Sequence, residues 1–262
     1  MARREEVRDE QWKILEPLIP KAERREDGKG RPEEHSDRAV FNGVLWVLRT
    51  GAAWMDLPER FPSGSTCYRR FSRWVKTGVL RHIVEEMARH LEDVGGIDLS
   101  ECFIDGMFVV AKRGGSEAGK TKRGKGTKLM AVADASGLPL AVHTASASPH
   151  EVTLVEATLD EVVTVGGPRR LVGDRAYDSD PLDERLAQRG VEMIAPHRSN
   201  RTRPPTQEGR PLRRYRRRWK IERLFAWLNK YKRALTRWDR CSERYTAFVQ
   251  LALSMILLNR HL

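Results

Sequence analysis

The chain has 262 residues, of which 40% are apolar and 32% charged. That length and apolar share allow one large domain or two ordinary ones with a real core, so disorder is not the default reading. Lys and Arg number 48 against 36 Asp and Glu, a formal charge of +12, and an excess of this size asks for a polyanionic partner, either nucleic acid or a membrane surface. Three cysteines, Cys67, Cys102 and Cys241, stand far apart, which excludes a disulfide scaffold or a cysteine zinc site and fits a reducing cytosol. The opening MARREEVRDEQ lacks the apolar run of a secretory signal. The longest uncharged apolar stretch, 245–259, has 15 residues; a membrane span needs about 20, so it reads as a buried core helix.

In chain order, residues 1–95 predict helices. Asp9 is a cap candidate, followed by Trp12, Leu15, Leu18 and Ile19 at helical spacing. Residues 20–36, with Gly28, Gly30 and Pro32, read as a polar loop. Ser36 or Asp37 caps a second helix carrying Val40, Phe41, Val44, Leu45 and Leu48 and ending at Gly51. Ser63-Gly64-Ser65 opens a third, with Tyr68, Phe71, Trp74 and Val75 on one side and Arg69, Arg70, Arg73 and Lys76 toward the other. A fourth runs from about Leu80 to Leu91. Such a set is either a helix-turn-helix type unit with a basic outer face or a small bundle with ordinary surface arginines.

Asp93-Val-Gly-Gly-Ile97 marks a boundary. Beyond it, strands are expected at 101–111, 127–135, 138–145, 169–173 and 191–195. Helices are expected at 151–163, 181–188, from Pro211 to about Lys232, and from Ser242 onward. That order implies a mixed sheet with helices on its faces. The expected division is a helical domain over 1–95 and an α/β domain over 96–262.

The charge is segregated. Residues 198–240 contain 16 Lys or Arg and three acids, a net +13, so the rest of the chain nets −1. A second cluster, 112–128, has seven basic residues and one acid, Glu117. Solvated faces usually mix signs, so the segregation favours nucleic acid. A membrane is disfavoured, because the basic stretch lacks a clean apolar stripe.

Three acids sit where a carboxylate is expensive. Asp105 shares a strand face with Phe103, Met107 and Val109. Asp174 ends the apolar run Leu171-Val-Gly-Asp174, the carboxyl edge of a strand, where α/β sites gather. Glu222 lies on a helical stripe with Tyr215, Arg218, Phe225 and Asn229. Convergence of three carboxylates without His or Cys suits Mg²⁺ or Mn²⁺. Two such ions about 3.5–4 Å apart hold both the entering and the leaving oxygen of a phosphodiester in line. Each acid also has an ordinary reading: Asp105 paired with a buried Arg, Asp174 as a helix cap, Glu222 paired with Arg218. Asp134 and Asp178 are further acids near the same place, and His150-Glu151 at a loop-to-helix junction reads as a cap or core partner.

These blocks together resemble bacterial insertion-sequence transposases of the DDE type, in particular the insertion-sequence-five family. Phe103-Ile-Asp105-Gly is similar to the strand bearing that family's first acid. Gly173-Asp174-Arg-Ala-Tyr177-Asp178 is similar to its second block. Tyr215-x-x-Arg218-x-x-x-Glu222 is similar to its Y-x2-R-x3-E-x6-K signature, except that the last Lys position is Asn229, with Lys230 beside it. Between the acids lie 68 and 47 residues, too few in the second interval for a large inserted domain. Thr50-Gly-Ala-Ala-Trp54 and Ser65-Thr-Cys-Tyr68-Arg-Arg-Phe71 are similar to the helical domain preceding the catalytic one.

The resemblance implies an RNase H-like catalytic domain and a magnesium- or manganese-dependent enzyme with two ions on Asp105, Asp174 and Glu222. It implies cleavage at element ends by water, then attack of the freed 3′-OH on target DNA. Arg218 and Lys230, with Arg214 and Arg217, would contact phosphate, and Arg69, Arg70 and Arg73 would read DNA ends. Tyr177 and Tyr215 would position DNA or brace the acids, Tyr215 reading equally as core. The partner is double-stranded DNA, handled by a homodimer or larger assembly in the cytoplasm at the nucleoid. The rival readings are a nuclease without strand transfer and a DNA-binding regulator with a dead catalytic half.

Overall fold

The computed structural model describes residues 6–21, 34–207 and 209–261; most of the expected 20–36 loop lies outside them. Four helices come first: α1 (Asp9–Leu15), α2 (Asp37–Thr50), α3 (Gly64–Lys76) and α4 (Val79–Asp93). Their ends follow local chemistry. The N-cap of α1 is Arg8 rather than Asp9, which enters the first turn. The Ser36 hydroxyl accepts the Ala39 N–H at 3.2 Å and starts α2, and Gly51 ends it at φ +72°. Ser63 does the same for α3 by accepting the Thr66 N–H.

Seven strands among the described residues form one mixed sheet: β1 (Cys102–Ala111), β2 (Gly119–Thr121), β3 (Gly124–Ala133), β4 (Pro139–Ser146), β5 (Arg170–Val172), β6 (Glu192–Ile194) and β7 (Thr236–Arg237). The path runs β2-β3-β1-β5-β6, with β4 on β3 and β7 on β1. β1, β3 and β4 are antiparallel, while β5, β6 and β7 run parallel as given by the β1–β5, β5–β6 and β1–β7 pairings. β2 and β7 are too short to show a period, so the sequence reading missed them.

The pairing of β1 creates the place where a site can form. On its open side, β5 covers only Cys102 and Phe103, and β7 covers only Val110 and Ala111. Between them, residues 104–109 pair with β3 alone among the described residues. Asp105 lies in that gap.

The remaining helices are α5 (Val155–Leu159), α6 (Asp180–Gln188), α7 (Gly209–Leu212), α8 (Trp219–Leu228), α9 (Lys232–Leu235) and α10 (Ser242–His261). Two expectations are corrected here. The helix expected over 151–163 is a 3₁₀ turn, Glu151–Leu154, followed by the short α5. The long helix expected from Pro211 to Lys232 is broken by a 3₁₀ turn at Arg213–Arg217. Buried Glu101, just before β1, accepts Arg214 at 2.7 Å and Arg217 at 2.6 Å on one oxygen. Charge-assisted bonds of this kind outweigh the small difference between α and 3₁₀ geometry.

Alternation along β1 splits the core as expected. Phe103 and Val109 pack with Leu129, Ala131, Ile221, Leu224 and the apolar α10, in a cluster continuous with the buried faces of α1 to α4. Cys102 and Ile104 face the other way, toward Met130, Val155, Leu171, Leu182 and Leu186. Helix α10 is buried from Tyr245 with few breaks to Leu258, and Phe248 stacks on Phe71 of α3 at 4.4 Å. No helix among the described residues is long and apolar enough to cross a membrane.

Arg237 on β7 is fully buried, and its bonds among the described residues go to carbonyl and hydroxyl oxygens. Its guanidinium donates to the carbonyls of Ser116, Glu117, Asp239 and Arg240 at 2.5–3.0 Å and to the Thr127 hydroxyl at 2.6 Å. One cation thereby holds three chain segments together, and burial pushes its pKa below the usual arginine value. Truncation leaves several buried acceptors unpaired. Arg237→Ala is expected to lower unfolding free energy by about 3 kcal/mol in urea titration. Arg237→Lys recovers less than half, because an ammonium cannot reach the same fork of acceptors.

Candidate active site

Asp105 is 18% exposed at its side chain and sits on the uncovered edge of β1. Its Oδ1 accepts the Gly106 N–H at 2.8 Å, and its Oδ2 accepts Arg218 Nη1 at 2.6 Å. Burial pushes its carboxyl above the usual range, and nearby Asp174 pushes it further; the Gly106 N–H and Arg218 pull it back. Asp174 follows the end of β5 and starts a 3₁₀ turn, Arg175–Tyr177, with its Oδ1 accepting the Ala176 N–H at 2.7 Å. The two aspartates thus lie two residues beyond the paired Phe103 and Val172, close enough for their charges to repel.

Glu222, in the first turn of α8, reaches this pair through Arg218. Arg218 Nη2 donates to Glu222 Oε1 at 2.7 Å, so one guanidinium bridges Asp105 and Glu222. Burial works against the Arg218 charge, but Asp105 and Glu222 outweigh it and hold its pKa above the ordinary value. Glu222 is 54% exposed, with Arg218 between it and the aspartates. Among the described residues, no three His, Cys, Asp or Glu side chains stand together as a ready metal cluster.

The donor chemistry nonetheless suits a hard cation. Asp105, Asp174 and Glu222 offer oxygen only, and desolvation together with repulsion from Asp174 works against the Asp105 anion. A divalent ion seated there would take over the charge that Arg218 now balances.

A further acid belongs to the same place. The Glu151 carboxyl lies against Gly106; a Cβ there would fall 2.9 Å from its Cδ and 2.8 Å from Met130 Sδ. The Tyr177 hydroxyl donates to Glu151 Oε2 at 3.2 Å, and Lys128 Nζ stands 3.8 Å from Oε1. Burial first, then Asp105 and Asp174, push the Glu151 carboxyl up against the pull of Lys128. Tyr177 is fully buried and held protonated by burial and by Glu151, Asp105 and Asp174. Gly173 makes room for that ring: a Cβ would sit 2.6 Å from Tyr177 Cδ2. The sequence reads His150-Glu151 as a cap or core partner. His150 does cap, its carbonyl accepting the Thr153 N–H and hydroxyl. The missed signal was the glycine beside Asp105, which leaves room on one strand face for a neighbour's carboxyl.

The other nominated residues divide by their contacts. Arg70 is buried and paired with Asp37, an α2–α3 contact that keeps it from a DNA surface, while Arg69 and Arg73 are exposed. Arg214 and Arg217 are tied to Glu101. Tyr215 packs on the core with the Arg218 guanidinium 5.9 Å from its ring. Lys230, beyond the end of α8, lines a hollow of about 310 Å³ with Ser136, Arg223 and Trp227. Asp134 and Asp178 are structural. Asp134 accepts three backbone N–H groups, from Asp98, Ser136 and Leu138. Asp178 accepts the Arg198 N–H, His197 and Arg201, which overcome its burial and hold its carboxyl below the usual range.

Comparison with known proteins decides the family. Residues 98–260 match the family model described as "Transposase DDE domain", and residues 7–84 match "Putative transposase of IS4/5 family". The chain belongs to the DDE transposase family. A Burkholderia cepacia protein, "Insertion element IS402 uncharacterized 16.2 kDa protein", is 37% identical over 118 residues, 44% of this chain and 80% of that one. A second, "Putative transposase for insertion sequence element IS402", is 32% identical over 142 residues, 51% of this chain and 64% of that protein. In Brucella ovis, "Putative transposase for insertion sequence element IS6501" is 33% identical over 135 residues, 50% of this chain and 98% of that one. The fold is also similar to the piggyBac transposase in its synaptic complex with hairpin DNA, with a TM-score of 0.54 at 11% identity over 95% of this chain and 70% of that one. The DDE domain is accordingly RNase H-like, preceded by a helical region.

Asp183, on α6 behind the second acid, gives a pH signature. Its buried Oδ1 has no hydrogen-bond partner, and burial, then Asp180 and Asp178, push its carboxyl up to about 6. A raised carboxyl pKa means that ionisation opposes folding, so its favourable protonated state is complete below about pH 4 and lost as pH rises through about 6. Asp183→Asn is expected to stabilise the protein at pH 7 by about 1 kcal/mol, after discounting for partial solvent screening, and by nothing at pH 4. Thermal melts of both proteins across pH 4–8 read this directly.

Proposed function

We propose that this family member binds the terminal inverted repeats of its element, cleaves the DNA at those ends, and joins the freed 3′-OH to target DNA. The observation that carries the reading is the Arg218 guanidinium bridging Asp105, on the open edge of β1, and Glu222, with Asp174 near enough to repel Asp105. In this proposal Asp105, Asp174 and Glu222 hold two Mg²⁺ or Mn²⁺ ions. Bound there, the ions supply Lewis-acid stabilisation to the entering and leaving oxygens of the phosphodiester.

The chain's own groups do the rest. With Asp105 and Glu222 neutralised by a bound cation, Arg218 would be free to meet the phosphate, where a bidentate guanidinium matches the oxygens. Tyr177, held by Glu151, braces the turn that carries Asp174. Lys230, Arg69 and Arg73 contact DNA backbone; Arg70, Arg214 and Arg217 hold the framework instead. Residues 1–95 serve end recognition and residues 96–262 the chemistry. Two ends must be handled together, so the working form is a homodimer or larger assembly on double-stranded DNA, acting in the cytoplasm at the nucleoid.

Asp105→Ala, Asp174→Ala and Glu222→Ala are each expected to reduce strand transfer of a pre-cut end at least a thousandfold while affinity for the repeat changes less than threefold. Near-normal joining by any of them removes that residue from the site. Hydrolysis without joining of a pre-cut 3′-OH end supports a nuclease instead. Repeat binding with neither reaction supports a regulator.

Cation binding is separable from turnover. Millimolar Mn²⁺ is expected to raise the melting temperature of the wild type and to leave an Asp105→Asn/Asp174→Asn double variant unmoved.

A further inference from the structure

A hollow of about 860 Å³ lies far from the acids, between the first turn of α3 and the link from β7 to α10. Arg113, Arg233, Arg240 and Arg244 line it, with Asp239 as the acid among the lining residues. A second hollow of about 630 Å³ continues it through Arg113 and Arg240 to Lys112 and Lys125. Arg113 follows β1, whose end is six residues beyond Asp105, so this basic track begins ~20 Å from the acids along the strand.

Its lining is strongly cationic. Arg233, only 8% exposed, pairs with Asp239 Oδ2 at 3.5 Å and donates to the Gly51 carbonyl, which leaves the charges of Arg113, Arg240 and Arg244 without an acid among the lining residues to balance them. Arg113 lies close enough to Arg233 to oppose its charge. The thirteen-residue α3 opens on the same space through Ser63, Gly64 and Ser65, where end amides and the helix dipole favour phosphate.

The hollow also has aromatic walls. Trp54 and Tyr68 are already engaged, edge to face at 5.7 Å, with Arg244 over the Tyr68 ring at 5.2 Å. Trp238 is different, at 38% exposed on the wall of the hollow. A ring presented in a concave basic space can stack only on a base whose face is open, which the interior of a duplex does not offer. Arginines for phosphate and an exposed indole for a base are the requirements of sequence-independent single-strand binding.

We infer that this hollow is a single-stranded DNA site, with Arg113, Arg240 and Arg244 on successive phosphates and Trp238 stacked on an unpaired base. The inference rests on the DNA-handling reading above and adds a second DNA contact remote from the acids. Arg237, which bonds the carbonyls of Ser116 and Arg240, holds the segments flanking Arg113 and carrying Arg240 in place.

The test uses the full chain and two probes, a 20-nucleotide oligothymidylate and a blunt duplex of unrelated sequence. Arg113 and Arg240 are exposed, so an Arg113→Ala/Arg240→Ala variant should keep the wild-type melting temperature. It is expected to bind oligothymidylate at least tenfold more weakly, with the slope of log K against log salt reduced by about 1.4 for two lost phosphate contacts. Arg113→Lys/Arg240→Lys should restore most of both. Trp238→Ala should cost at least fivefold on the single strand, and Trp238→Phe less than threefold with part of the fluorescence quenching lost. Unchanged affinity and slope in the double alanine variant overturn the site. A larger loss on duplex than on oligothymidylate also overturns it, by making the track a duplex surface. Strand transfer by the wild type separates the two readings. If it is present while the groove variants bind normally, only the groove falls. If it is absent while they bind weakly, the transposition reading falls and the groove stands.

Discussion

A single guanidinium organises the centre of this protein. Asp105 is placed on a strand edge among apolar neighbours, where an ionised carboxylate loses much of its hydration. Arg218 supplies the opposing charge at 2.6 Å and carries the interaction on to Glu222 at 2.7 Å. That contact couples the start of helix α8 to the middle of β1, and in the proposed mechanism a bound cation would take over the role the guanidinium has between the acids. The same guanidinium offsets from one side the repulsion between Asp105 and Asp174.

The basic excess has a more varied meaning than net charge suggests. Among the described residues, at least ten of the sixteen Lys and Arg in 198–240 have internal partners. Arg201 and Arg203 serve Asp178 and Asp180, and Arg214 and Arg217 serve Glu101. Arg198, Lys220, Arg223 and Arg237 bond carbonyl oxygens, while Arg218 and Arg233 pair with acids. Much of the charge is wiring that closes loops where short helices and strands leave carbonyls exposed. The cations that line the α3–β7 hollow are placed by that wiring, with Arg237 fixing the backbone of the segments around them.

Much of the fold was legible because its larger elements are periodic. The alternation of β1, the helical stripes of α2 to α4 and the uncharged run of α10 each show which side is buried. Asp105 and Asp174 stood out because each sits in an apolar strand context where a carboxylate needs a reason. Glu151 did not stand out. Its role depends on Gly106 leaving room on a strand face 45 positions away and on Tyr177 arriving from another turn. Asp134 and Asp178 resembled site acids until their backbone N–H donors were seen.

By itself, then, the amino-acid order determined the mixed sheet, the helical lead-in, the family and the identity of the two strand acids, since all of these are written in local period and short motifs. Only the tertiary structure decided that the helix after Pro211 breaks at Arg213–Arg217, that Arg70, Arg214 and Arg217 face inward, that Glu151 joins the acids, and that Arg218 stands between Asp105 and Glu222. These outcomes turn on ion pairs and close approaches between residues far apart in the chain, whose energies exceed local conformational preference and leave no periodic trace.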